Sequence, residues 1–331
     1  MELKAAFTLR VLQNYGSNKN CPFCGSADTV LVQRRRIILQ LRRCQACGLR
    51  FRWPKETESF AQAYYQDAYK EENNCTTELP DAATLRELIA NNFAGSQRDL
   101  QQQIAVLKDR LPAGRVLDFG CSWGYNVFQL RSAGYDALGF EISLPRAKFG
   151  REQLGVEILD QLEDMDKIPT ASLDGILASH VLEHLLSLKE IFTNFARILK
   201  PNGVLMVLVP NGGGAAAREM GVRWPPLINE KHTLALDRTF FEKNLAPFGF
   251  DVTTLSDPYD LPSIKAAIHA NQPLPAEGEE LMVIAKRTAA WTLSTMVRGP
   301  HLVQHLVRCV GNKGTYEMPW PVGVAAGFSP R

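Results

Sequence analysis

Between residues 115 and 286 the chain alternates short apolar strand patterns with amphipathic helical ones, and this alternation limits the available folds more than any other feature. Strand patterns fall at 115–119, 137–142, 156–159, 174–179 and 204–209, with helical patterns at 125–133, 144–154 and 187–199 between them. Strands and helices joined by short connections predict an α/β class: a parallel sheet covered by helices on both faces. Lys200-Pro-Asn-Gly203 reads as a turn. A helix at 237–247 and strands at 250–255 and 281–286 complete the pattern. Upstream, one helical pattern runs from 81 to 111 with Leu85, Leu88, Ile89, Leu100, Ile104 and Leu107 as its apolar positions.

A second signal precedes this region. Cys21, Cys24, Cys44 and Cys47 form C-x2-C-x19-C-x2-C, the spacing of a four-thiolate zinc ribbon. Gly25 and Gly48 follow the two pairs, as a tight knuckle that must reach φ > 0 requires. Four sulfurs fill a tetrahedral ion, so the implied zinc is structural. The chain has seven cysteines; Cys75, Cys121 and Cys309 read as isolated thiols. Arg34, Arg35, Arg36, Arg42, Arg43, Arg50 and Arg52 lie beside the knuckles, either as a phosphate-gripping patch or as a solvated hairpin face. The formal net charge of +2 over 331 residues makes the whole molecule no polyanion binder. The first ten residues lack a signal-peptide core and no stretch reaches the ~18 apolar residues of a membrane span, so a cytoplasmic protein is expected.

The first strand of the alternating region ends in an acid and a small-residue turn, Asp118-Phe-Gly120-Cys121-Ser122-Trp-Gly124, followed by a helix. Such a turn lets a ligand approach the backbone. A carboxylate at Asp118 would repel the pyrophosphate of a dinucleotide, whereas it attracts the ammonium and sulfonium of S-adenosylmethionine (SAM). Glu141, at the end of the second strand, suits both hydroxyls of a ribose.

On these residues, 113–288 resembles the class I SAM-dependent methyltransferases. Asp118, Gly120 and Gly124 match the family's first motif, and Ser122 stands in place of its middle glycine. The resemblance implies a Rossmann-like, seven-stranded, mostly parallel sheet. It gives Asp118 to the methionine end of the cofactor, Glu141 to its ribose, and Leu162 and Glu163 to its adenine, with Cys121 and Ser179 at the same edge. The division expected is a zinc ribbon at 19–54, a helical connector or lid at 55–112 carrying Tyr64, Tyr65 and Tyr69, the catalytic domain at 113–288 and a C-terminal extension at 289–331. That domain is expected to bind SAM when isolated.

Ser179-His-Val-Leu-Glu-His184 resembles the post-strand motif of ubiquinone-type O-methyltransferases. The letters also spell H-x-x-E-H, a zinc-protease pattern, but that reading needs a long helix where this segment follows a strand. A divalent ion at His180, Glu183 and His184 stays open. His180, His184 and His232 are the candidate general bases for methyl transfer. The expected reaction is transfer of a methyl group from SAM to a small-molecule or glycan-precursor acceptor, most simply at oxygen. Two alternatives stand beside it: an RNA methyltransferase docked through the basic ribbon, and a protein that binds SAM and zinc without catalysis.

Overall fold

The computed structural model describes residues 18–35, 39–54, 78–185, 188–228 and 232–288. Tyr64, Tyr65, Tyr69, Cys75, Cys309, Arg36 and the extension 289–331 lie outside them.

Strands β1 (Thr29–Arg35), β2 (Leu39–Cys44) and β3 (Arg50–Trp53) form an antiparallel ribbon sheet. The knuckles bracket it: Gly25 and Gly48 adopt φ of 74° and 83°, and their N–H groups donate to the carbonyls of Cys21 and Cys44 at 3.0 Å each. These are the left-handed glycines that the spacing requires.

The single helical pattern expected over 81–111 is split in two in the structure. Helix α1 (Ala82–Ala90), capped by the Asp81 carboxylate, and α2 (Gln101–Arg110) are separate. Between them Asn92 and Phe93 take left-handed φ of 52° and 65°. That turn buries Phe93 completely against Trp123, Tyr125 and Phe128. The apolar period runs across the break although the two helices serve different clusters: α1 packs Leu85 and Leu88 on Phe93 and Trp123, and α2 packs Ile104 and Leu107 into the core beside the sheet.

The large sheet is built from β4 (Arg115–Phe119), β5 (Asp136–Phe140), β6 (Ile158–Leu159), β7 (Leu173–Ser179) and β8 (Leu199–Pro210). These five are parallel to one another. A two-residue strand, β9 (Leu234–Ala235), joins the ribbon sheet instead, while β10 (Phe250–Ser256) and β11 (Glu280–Arg287) complete the large one. The order is β10-β11-β8-β7-β4-β5-β6, with β11 antiparallel to both neighbours. This is the seven-stranded, mostly parallel sheet expected. The turn at 200–203 is present as a bulge inside β8: Leu199 pairs with Leu173 and Val204 with Gly175, leaving Asn202 left-handed.

Helices cover both faces. On one side α2, α3 (Tyr125–Ser132), α4 (Leu144–Phe149) and α10 (Leu261–His269) pack Ile104, Leu107, Val127, Leu130, Ala147 and Ile264 against the sheet. The short α5 (Leu162–Lys167) follows β6. On the other side lie α6 (Leu188–Ile198) and α9 (Arg238–Asn244), with α7 (Ala215–Met220) and α8 (Pro225–Ile228) between β8 and β9.

The ribbon belongs to that second face. Cys21, Cys44, Cys47, Leu49 and Phe51 share one continuous core with Leu117, Phe192, Phe195, Phe240 and Phe241. Phe23 stands edge-on to Phe240, ring centroids 5.1 Å apart. Asn244 donates to the Cys47 carbonyl at 2.8 Å, tying a knuckle to the end of α9. Finally, β3 pairs with β9, so Phe51 lies opposite Leu234.

Candidate functional site

The chain runs from β4 outward to β5 and β6, then crosses back to β7 and β8, so the strand order reverses between β4 and β7. Ligands of open α/β sheets sit beyond the carboxyl ends of the strands at such a reversal. Asp118, Gly120, Glu141, Ser179 and His180 all converge on this edge.

The glycine turn is built by close approach. Gly120 has φ of 79°, and a Cβ there would lie 2.3 Å from Val181 Cγ2; Gly124, φ 82°, begins α3. Ser122 occupies the middle glycine position with φ of 51°, a left-handed serine. Its strain is held by Glu141, whose Oε2 accepts the Ser122 N–H at 2.9 Å while Oε1 accepts that of Ser143 at 2.7 Å. Burial raises the Glu141 pKa against the pull of those bonds and of Arg146. Each oxygen keeps a second lone pair for a hydroxyl donor.

Asp118 is 1% exposed, and neither carboxylate oxygen accepts a hydrogen bond of good geometry, although the nearby Asn126 side chain favours its charge. Burial, with the charge of Glu141, pushes its pKa up to about 8. A buried carboxylate without well-formed hydrogen bonds is costly and rare in a finished structure. Here it marks a place where a cationic or donor group belongs. The buried Ser122 hydroxyl and Trp123 indole N–H are unpartnered at this turn.

Other expected residues fall differently. The Cys121 thiol is buried, turned against Gly139 at a distance that would bring a Cβ there within 2.4 Å, so this residue offers the turn its backbone. Leu162 is half-buried and Glu163 exposed at the start of α5, and Ser179 is the half-buried last residue of β7. Among the described residues the arginines do not form one surface. Arg42 and Arg52 are buried, the former bonded to Thr29 and Gln40. Arg50 reaches the Gly212 carbonyl and Asp237, whereas Arg34 and Arg43 are exposed.

After β7 the motif folds as a single 3-10 turn, Leu182–His184, rather than a long helix. The protease geometry is therefore absent. His180, at φ 53°, has Nε2 2.5 Å from Glu280 Oε2 and Nδ1 3.5 Å from Glu183 Oε1. Burial works to lower its pKa, but the two carboxylates outweigh it and hold it up to about 10. The side chain is 48% exposed, so solvent screens part of that attraction. Glu280 also accepts from the Tyr259 hydroxyl at 2.7 Å, and burial beside that carboxylate raises the tyrosine. Neither residue was visible as a site residue in the sequence. Glu280 reaches the edge only because β11 enters the sheet antiparallel.

His232 comes beside the motif from a distant segment. Its ring meets that of His184 edge to face at 4.5 Å, and Thr233 N–H donates to the Glu183 carbonyl at 3.0 Å. Burial and the neighbouring His184 lower its pKa to about 3. Glu183, 2% exposed, is held down to about 2: burial opposes this, and the surrounding imidazoles prevail.

In the ribbon, the Sγ atoms of Cys21 and Cys47 lie 3.4 Å apart and those of Cys24 and Cys44 3.5 Å, and all four sulfurs converge within 4.8 Å of one another. The set fits a tetrahedral thiolate ion such as zinc.

Residues 94–255 match the family described as "Methyltransferase domain". A S-adenosyl-L-methionine-dependent Diels-Alderase, iccD, of Talaromyces variabilis is 33% identical over 104 residues, 28% of this chain and 35% of that protein. A probable S-adenosylmethionine-dependent methyltransferase of Mycolicibacterium smegmatis is 28% identical over 146 residues, 42% and 53% of the two chains. A ubiquinone biosynthesis O-methyltransferase of Rhodopseudomonas palustris is 25% identical over 152 residues, 43% and 60%. The chain thus spans between about a third and 60% of the length of these curated relatives. Strand order, the acid-and-glycine turn and the family match agree: the chain carries a class I SAM-dependent methyltransferase domain.

Proposed function

We propose that the chain transfers the methyl group of SAM to an oxygen of a small-molecule or glycan-precursor acceptor. The observation that carries this reading is Asp118, a buried acid whose two oxygens accept no hydrogen bond of good geometry, at the point where the strand order reverses. Bound at this edge, SAM supplies an electrophilic methyl group on a positively charged sulfur. Asp118 would hold the ammonium of its methionine end and Glu141 its ribose hydroxyls, in a turn already fixed by the Ser122 and Ser143 N–H groups. Leu162, Glu163, Ser179 and the Cys121 backbone would line the remainder.

The acceptor side is furnished by the motif after β7. Both ring nitrogens of His180 face carboxylates, which leaves His184 and His232 to receive the proton that an acceptor hydroxyl must lose. The names of two relatives differ at this point. The R. palustris protein is named as an O-methyltransferase, whereas the T. variabilis protein is named as a SAM-dependent Diels-Alderase. Zinc at Cys21, Cys24, Cys44 and Cys47 would be structural.

The test is incubation of the full chain with methyl-labelled SAM and separate metabolite, glycolipid and RNA pools. Label in the metabolite or glycolipid pool is expected. Label confined to RNA overturns the acceptor class, and tight SAM binding with no label in any pool overturns methyl transfer. Glu141→Gln keeps the side-chain volume but turns an N–H pair toward one of the backbone donors. It is expected to raise the Kd for SAM at least ~10-fold by calorimetry, the worth of one charge-assisted hydrogen bond.

A further inference from the structure

We propose that Glu183, His184 and His232 form a second metal site, which takes one divalent transition-metal ion of the zinc, cobalt or iron class. Glu183 is 2% exposed and its oxygens accept no hydrogen bond of good geometry, His180 Nδ1 standing 3.5 Å from Oε1 at the limit of reach. Around it the imidazoles stand off: His184 Nε2 is 3.9 Å from Oε1, too far to donate. Yet one ligand atom from each of Glu183, His184 and His232 lies within 4.8 Å of the other two. Donors bound at ~2.0–2.2 Å around a shared ion sit roughly 3–4 Å from each other, so this spacing is wide for hydrogen bonding and close to what an ion needs.

The backbone delivers the third ligand. Thr233 donates its N–H to the Glu183 carbonyl at 3.0 Å, and its own carbonyl accepts from Arg52 N–H at 2.9 Å. Clamped between the post-β7 turn and the ribbon, Thr233 fixes its neighbour His232 against His184. The H-x-x-E-H spelling suggests His180 for this place, but its Nε2 is already committed to Glu280. Two imidazoles and one carboxylate favour zinc, iron, cobalt or nickel over the oxygen-seeking magnesium and calcium. Three protein ligands leave a position open. On the methyl-transfer reading, that position takes the acceptor oxygen, and the ion polarises the hydroxyl while His184 and His232 act as ligands rather than bases.

The experiment is titration of the metal-stripped full chain with Co²⁺ alone, followed by absorption and elemental analysis. The expected wild-type result is two equivalents per chain, one with the sulfur-to-cobalt charge-transfer band of the cysteine quartet and one without it. His232→Ala and Glu183→Gln are each expected to reduce the count to one, with the sulfur band intact; that band also reports that the chain is folded. A single wild-type equivalent carrying the sulfur band overturns the site, as does retention of the second equivalent in either variant. No methyl donor or acceptor enters this titration. Its failure therefore leaves the proposed reaction standing, and failure of the labelling assay leaves the cobalt count standing.

Discussion

Cys44→Ser is expected to melt the ribbon and the large sheet together, in one transition shifted downward by more than ~10 °C. Cys44 is fully buried and ends β2, its sulfur facing that of Cys24. A structural zinc contributes ~10–16 kcal/mol in isolated zinc-finger peptides, so weakening one of four ligands removes several kcal/mol. For a chain of this size each kcal/mol moves Tm by roughly 2–4 °C. The transition stays single because the ribbon and the sheet share a core. Leu49, Phe51 and Phe23 pack on Phe192, Phe240 and their neighbours, and each such side chain is worth about 1.5–3 kcal/mol of burial. Three of them approach the whole stability of an ordinary domain, about 5–15 kcal/mol. For the same reason, the 113–288 segment expected from the sequence to bind SAM alone is here expected to be insoluble or molten. Circular dichroism and tryptophan fluorescence of the full chain would decide the matter. Two separate transitions, with the upper one unmoved by the substitution, would contradict it.

Asp118→Asn should stabilise the empty protein while weakening SAM by something on the order of 100-fold, since one or two charge-assisted hydrogen bonds are lost. The sign of the first effect follows from linkage. The native pKa, about 8, lies above the ordinary 3.8. Between those values the native state holds a proton that the unfolded chain has released, so stability falls as pH rises through the window and levels off above it. Asparagine removes that loss. SAM, a cation, requires the ionised form; below pH 8 its binding expels one proton, and affinity climbs with pH toward a limit of about tenfold per unit. Calorimetry near pH 7 in two buffers of different ionisation heat counts the proton directly. A pH-independent wild-type affinity with no proton released would refute this account, and the variant should show that flat behaviour.

What could be read from the sequence was what local spacing determines. The quartet, its two glycines and the acid before the turn each act within a few residues of chain, and the structure puts them where the spacing implies. Most strands also begin and end within two residues of their apolar patterns, because in-and-out alternation is a local property. The unread part depends on topology. Phe93 breaks a helical pattern to reach Trp123, which lies thirty positions on and has no local counterpart. Glu280 meets His180 across 100 residues, and His232 meets His184 through a strand pairing. For the arginines of the ribbon the sequence leaves a phosphate-gripping patch and a solvated hairpin face both open, since proximity along the chain says nothing of which side of a hairpin each faces. Arg42 and Arg52 turn inward, whereas Arg34 and Arg43 stay exposed.

The two-residue strand β9 carries an implication for how such proteins diversify. It is the point where the N-terminal hairpin and the loop bearing His232 are stitched into a single sheet, while the donor-holding turn hangs from β4 and β5. Under the proposed reading, drift in the hairpin would retune which molecules are modified without disturbing the universal reagent. Chimaeras that exchange residues 19–54 among relatives, and keep Phe23, Leu49 and Phe51, should inherit their substrate preference from the hairpin's parent.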